Sequence, residues 1–381
     1  MHMQEDKFPE ITDYADVRGK YVFVRVSLNV PVVDGIVLNE FRITQSLPTI
    51  NYLRTLGAKI ILCSHLGKDG SQSLAPVCEV LKKYIPIHFS PEVIGETTLS
   101  MRNALGEGEV LLLENVRKDP REMENDPQFA QELATLADIY VNDDFAASHR
   151  KHASLYAICS LLPSYIGINC SHEVEELSKA LHPESPSLFI LGGAKFETKM
   201  PLIEKFLKLY DHIFITGALA NDFFKAKGLS VGTSLVSDMS LVGSPLLTNK
   251  KVIVQADVTV AFVGGRRITT PDDVKDNEAI LDAGPVTIEL LSEYTSKAAS
   301  ILWNGPLGNY EGGFKEQTLA CAKLVAASSA YSVVGGGDTV ASIEELNNQN
   351  QYSFLSTAGG AMLTFLELGS LPALDALVKR L

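Results

Sequence analysis

Short runs of β-branched and apolar residues, each closed by glycine or polar residues and followed by a longer amphipathic stretch, recur along this 381-residue chain. A strand followed by a crossover helix belongs in a sheet covered on both faces, so the repeat predicts an α/β protein built on doubly wound parallel sheets. In the first half the expected strands are Tyr21–Val26, Lys59–Cys63, 110–113 and 139–141, with helices over 44–56 and 74–84. In the second half they are Ser187–Leu191, His212–Ile215, 251–254, 300–303 and 331–334, with helices over 286–293, 314–327 and 339–346. At about 150 residues per domain the length fits two or three domains. Residues 171–181 have the apolar spacing of a helix, and His-Pro-Glu-Ser-Pro at 182–186 stops it. The expected division is therefore an N-terminal domain over 1–170, a hinge helix over 171–182 and a C-terminal domain over 183–364.

Charge narrows the partners. Against 46 Asp and Glu stand 33 Lys and Arg, a net charge of -13, which disfavours nucleic acid or an anionic membrane while leaving room for a local anion site. Five cysteines, Cys63, Cys78, Cys159, Cys170 and Cys321, are far apart and form no metal-ligand spacing. Reduced thiols in a cytoplasmic protein are the expectation. The N-terminus has no basic start followed by an apolar run, and no apolar stretch reaches bilayer length, so neither export nor membrane insertion is expected.

Ligands of doubly wound sheets lie beyond the carboxyl ends of the strands. Arg25 with Ser27 and Asn29, Arg42, His65, Arg117 and Arg150 lie at or near such ends, and converging guanidinium groups suit a compact polyanion. Taken singly, each also suits a solvated surface position. Eight of the eleven arginines fall within residues 1–150, whereas glycine clusters concentrate in the second half. There, Gly192-Gly193-Ala194-Lys195 follows a strand, and Lys199 shares a helical face with Lys195 at i, i+4 spacing. A tight turn with two exposed lysines fits the same residues. Gly335-Gly336-Gly337-Asp338-Thr339 opens another helix, whose free amides suit an anion, and Asp338 suits either a helix cap or Mg2+. Neither GxxxxGK[ST] nor GxGxxG after the first strand is present, which disfavours P-loop kinases and dinucleotide-dependent dehydrogenases. A phosphotransferase with one substrate per domain fits best, with its acceptor unidentified.

Arg25-Val-Ser-Leu-Asn-Val-Pro31, Ser64-His-Leu-Gly67, Ser73-Leu-Ala-Pro-Val77, Leu113-Glu-Asn-Val-Arg117, Val141-Asn-Asp143 and His149-Arg150 resemble phosphoglycerate kinase. So do Leu191-Gly-Gly-Ala-Lys195, Trp303-Asn-Gly-Pro306 and Gly335-Gly-Gly-Asp-Thr339, in the family's order across nearly the whole chain. The resemblance implies reversible Mg2+-dependent transfer between 1,3-bisphosphoglycerate with ADP and 3-phosphoglycerate with ATP, in a cytoplasmic, glycolytic, hinge-bending monomer. Arg25, Ser27, Asn29, Arg42, His65, Lys68, Arg117 and Arg150 would hold the triose. Gly193, Lys195, Lys199, Gly217, Gly284, Asn304, Glu311, Gly336, Gly337, Asp338 and Thr339 would hold the nucleotide, with Asp338 on the metal. Arg42, Lys195, Lys199, Gly337 and Gly360 would surround the transferring group, and residues 365–381 would return to the N-terminal domain.

The chain departs from the family pattern at several positions. Ser27 replaces an aspartate and Lys68 an arginine, while Asp144, Ala146 and Ala147 replace small residues and Gly-Thr. Thr216, Ala218 and Ala358 interrupt glycine runs. Three other readings compete: the same fold with a different phosphorylated acid, a weakly catalytic paralogue that binds nucleotide and serves interaction or regulation, and a ribokinase-like sugar kinase with Asp338 as base. The last leaves the N-terminal arginines unexplained.

Overall fold

The computed structural model describes residues 8–14, 16–194 and 196–378. The chain separates into two compact units, one comprising residues up to Glu175 and from Leu368 onward, the other Glu176–Glu367. The division falls inside the helix Ile168–Ala180.

The first unit is built on strands β1 (Tyr21–Val26), β2 (Lys59–Cys63), β3 (His88–Phe89), β4 (Val110–Leu112), β5 (Ile139–Asp143) and β6 (Ser164–Ile166). They form one six-stranded sheet in the order β3-β4-β2-β1-β5-β6, parallel throughout. The sequence expectations for β1 and β2 match residue for residue, because these strands are almost wholly buried and read as unbroken apolar runs. Val22, Val24, Ile60, Leu62, Val110 and Val141 pack into the core on one face with Ile50 and Leu53 of the helix Phe41–Thr55. Strand β5 runs two residues further than expected, so that Asn142 and Asp143 pair with Arg25 and Val26.

The second unit repeats the theme with β7 (Ser187–Leu191), β8 (His212–Ile215), β9 (Val252–Val254), β10 (Ser300–Asn304), β11 (Tyr331–Gly335) and β12 (Phe354–Ser356). Their order is β9-β8-β7-β10-β11-β12, again all parallel. Relative to the first strand this is the 3-2-1-4-5-6 winding of nucleotide-binding sheets, which reverses direction between β7 and β10. Trp303, fully buried on β10, donates from Nε1 to the carbonyl of Gly305 at 2.9 Å and so fixes the turn that leaves the strand. A separate antiparallel sheet of Val258–Phe262, Gly265–Thr269 and Ala279–Ala283 was not expected from the sequence. Among the described residues no single helix is long and apolar enough to cross a membrane.

Candidate active site

In the first unit the winding reverses between β1 and β5, and the arginines gather along the carboxyl ends of the sheet. Arg42 donates from Nη1 to the backbone carbonyl of Asn29 at 2.9 Å, while Asn29 Oδ1 accepts from Gly67 N at 3.0 Å. Arg117 donates from Nη1 to the Gly67 carbonyl at 2.6 Å. Asn29, Arg42, Arg117 and the turn preceding Lys68 are thereby tied into one surface. Lys68 and Arg150 are exposed beside it.

Two groups there are incompletely satisfied. Arg117 is buried, yet its Nε and Nη2 have no hydrogen-bond partner among the described residues, and the buried Ser27 Oγ has none there either. A buried donor without an acceptor is unfavourable, and an anion reaching Arg117 would satisfy it. Burial first, then Arg150 and Arg25, lowers the Arg117 pKa to about 10. His65, 5% exposed, is held well below its usual pKa by burial and by Arg25, Arg117 and Arg150. It is neutral at physiological pH.

Arg25, expected at the triose, is turned into the protein. It is fully buried and spends its guanidinium on the protein: Nε donates to Ser154 Oγ at 3.0 Å, Nη1 to Asp144 Oδ2 at 2.6 Å and to the Val26 carbonyl at 3.0 Å. Its Nη2 meets His65 Nδ1 at 2.9 Å. Arg25 lies inside β1 rather than beyond it, and its side chain sits against His65 with no exposed surface. Sequence reasoning also passed over Ser154 and Glu122, which lie behind Arg25, Ser154 Oγ donating to Glu122 Oε1 at 2.6 Å. Asp144 carried a usable signal, since it follows directly on a strand end as Arg117 nearly does.

In the second unit glycines line the corresponding region. Gly193 has φ of +83°, and a Cβ there would come within 3.1 Å of Lys199 Nζ. Lys199 is buried and donates to the Gly192 carbonyl, which fixes its ammonium over the turn. Gly192 N donates to the Asn304 carbonyl, Asn304 Nδ2 to the Gly335 carbonyl, and Gly305 N to Thr339 Oγ1, at 2.9, 3.0 and 3.1 Å. These bonds bring Gly193, Lys199, Asn304, Gly336 and Thr339 together. Lys195, expected beside Lys199, lies outside the described residues.

The helix Gly337–Glu345 starts from Gly336, which adopts φ of +112°. Its first amides face outward at a helix N-terminus, where the dipole favours an anion. Gly217 opens the helix Ala218–Ala226 at φ of +64°, and a Cβ on it would stand 2.7 Å from Gly193 N. Gly284 lies further along the same edge, where Asp257 caps its helix through the amides of Val286 and Thr287 at 3.0 and 2.7 Å. Glu311 is exposed and near enough to Asp338 to raise its pKa, after burial, the larger cause. Gly360 is an exposed residue of the helix Gly359–Leu368.

A family profile described as phosphoglycerate kinase matches residues 11–368. The chain belongs to the phosphoglycerate kinase family. It is 41% identical over 379 residues to "Phosphoglycerate kinase" of Aquifex aeolicus, covering 94% of this chain and 96% of that one. A structure of phosphoglycerate kinase from Coxiella burnetii aligns with TM-score 0.82 at 35% identity, covering 98% of this chain and all of that one. The phosphoglycerate kinase of Pyrococcus horikoshii OT3 aligns with TM-score 0.83 at 30% identity, over 97% and 98% of the two chains. The two wound parallel sheets match the architecture of these relatives, and the chain is a kinase by family. Nothing in the comparisons supports the weakly catalytic paralogue that binds nucleotide for interaction or regulation.

Proposed function

We infer that this chain catalyses reversible, Mg2+-dependent phosphoryl transfer between 1,3-bisphosphoglycerate with ADP and 3-phosphoglycerate with ATP. The observation that carries the reading is the buried, partly unsatisfied Arg117 guanidinium set among Asn29, Arg42, His65 and Arg150 in a member of this family. The first unit is the triose-binding domain and the second the nucleotide-binding domain. The acceptor is a carboxylate, already ionised at neutral pH, so no side chain has to remove a proton from it. Arg42 and Lys199 neutralise the transferring group, and the amides at Gly337 hold phosphate oxygens. Because the two sets of groups lie on different units, turnover requires closure of one on the other.

Mg2+ suits Asp338. Its carboxylate oxygens are hard ligands, they have no ion-pair or hydrogen-bond partner among the described residues, and their ionised form is disfavoured by burial and by Glu311. When bound with nucleotide, Mg2+ supplies further neutralisation of the phosphates. All five cysteines are free and buried, which supports a reducing, cytoplasmic setting, and we read the protein as a monomer on the family resemblance.

A coupled spectrophotometric assay with 3-phosphoglycerate, Mg2+ and ATP tests the activity. Arg42→Ala should reduce turnover by about a hundredfold or more, as expected when a transition-state contact is removed, while nucleotide affinity stays near that of the parent. A near-parental rate would remove Arg42 from the reaction.

A further inference from the structure

The first unit holds a buried charged pair that phosphoryl transfer does not itself require. Arg25 and Asp144 are both fully buried and meet through Nη1 and Oδ2 at 2.6 Å. Asp144 is fixed in turn, its Oδ1 accepting from Ala147 N at 3.1 Å and its own amide donating to Asn142 Oδ1 at 3.1 Å. On its other side Arg25 is anchored by Ser154, behind which stands the buried Glu122. A further partner of this assembly is His65, whose Nδ1 lies 2.9 Å from Arg25 Nη2.

That contact decides where the histidine proton sits. A guanidinium has five N–H donors, no acceptor, and does not deprotonate in proteins. Nδ1 must therefore accept, and a neutral imidazole then carries its proton on Nε2. Asp144 Oδ2 is 3.8 Å from Nδ1, too far to draw a proton there while Arg25 is in place. Burial first, then the charges of Arg25, Arg117, Arg150 and His152, oppose a second proton on the ring. The tautomer matters because its alternative would present a lone pair, rather than a donor, to an anion that reaches Nε2.

We propose that Arg25 and Asp144 are positioning residues that lock His65 in its Nε2–H tautomer, so that a neutral imidazole presents a directed donor to an oxygen of the bound phosphorylated acid. The inference rests on the reading of this unit as the triose-binding domain. It assigns Asp144 a role through Arg25 rather than through contact with the substrate.

Multiple-bond 1H–15N NMR of histidine-labelled protein reads the tautomer without any turnover. In the parent, His65 should show a protonated Nε2 and an unprotonated Nδ1, unchanged on going from about pH 8 to about pH 6, across the ordinary histidine range. Arg25→Lys, which can still only donate, should keep that signature. Arg25→Met should move the proton to Nδ1, toward Asp144, but it leaves a buried carboxylate without its counter-charge and risks unfolding. The double variant Arg25→Met with Asp144→Asn preserves the net charge of the cluster and is the decisive one. It should show mixed tautomers and a KM for 3-phosphoglycerate raised about tenfold, the equivalent of one good hydrogen bond, with the KM for Mg-ATP unchanged. A cationic or Nδ1–H His65 in the parent, or a double variant with parental tautomer and KM, overturns the proposal. A parent that shows the Nε2–H signature yet does not bind 3-phosphoglycerate overturns its donor role by refuting the triose-binding reading, leaving only the tautomer lock.

Discussion

Lys199 is the residue at which burial and function are most directly opposed. Its ammonium is buried against the Gly192 carbonyl, and burial pushes its pKa down to about 8 from 10.5. Between those two values the unfolded chain binds more protons than the folded one, so this group's contribution to stability grows as pH rises from about 8 to 10.5 and is lost as pH falls back. Anion binding has the opposite sign, because only the charged form neutralises phosphate. ADP affinity should therefore fall as pH is raised from about 7 to about 9, by at most about tenfold per unit for one linked proton, and binding above pH 8 should take up a proton. Calorimetry in two buffers of different ionisation enthalpy measures that uptake. Lys199→Met should bind more weakly and with no such linkage; an unchanged uptake would place the titrating group elsewhere.

At the scale of elements, the parallel strands were legible because burial on both faces leaves unbroken apolar runs such as Val22-Phe23-Val24 and Ile60-Ile61-Leu62. The antiparallel sheet was not, since Arg266 and Arg267 sit in its edge strand Gly265–Thr269, which is largely exposed and mimics loop composition. The glycine turns were legible for a related reason, as Gly193, Gly217 and Gly336 adopt positive φ where a side chain would be strained. Arg25 shows the limit: composition registers a cation but not whether its side chain points to a ligand or to a buried aspartate far away in sequence.

The helix Gly337–Glu345 carries its own prediction. A carboxylate in its first turn is favoured by the dipole, yet burial and Glu311 leave Asp338 with a raised pKa. Its ionised form therefore opposes folding above its ordinary value of 3.8, and the effect persists at neutral pH. Asp338→Asn should leave the ligand-free protein at least as stable as the parent, while largely abolishing the extra stabilisation that Mg-ADP gives over ADP alone. Thermal melts with and without Mg2+ separate the two effects. A variant that keeps the full Mg-ADP increment would remove Asp338 from the metal.

On the scale of the whole molecule, the net charge of -13 contrasts with ligands that are themselves anionic, so binding must depend on a few placed groups rather than on an attractive surface. The uneven use of cations expresses this, with arginines at the edge of the first sheet and a buried lysine with helix amides at the edge of the second. Each unit has its own core and its own wound sheet. Ligand binding should therefore be readable unit by unit. In hydrogen exchange followed by mass spectrometry, 3-phosphoglycerate alone should slow amides near Leu28, Gly67 and Arg117 and leave the second unit at its ligand-free rates. Mg-ADP alone should slow those near Gly193, Gly217 and Thr339 and spare the first. At saturation, ligand binding raises the free energy of local opening, so protection centred on the other unit would show that its binding residues had been misassigned. Protection of both units by both ligands together, beyond the sum of the two alone, is the signature expected of closure during turnover.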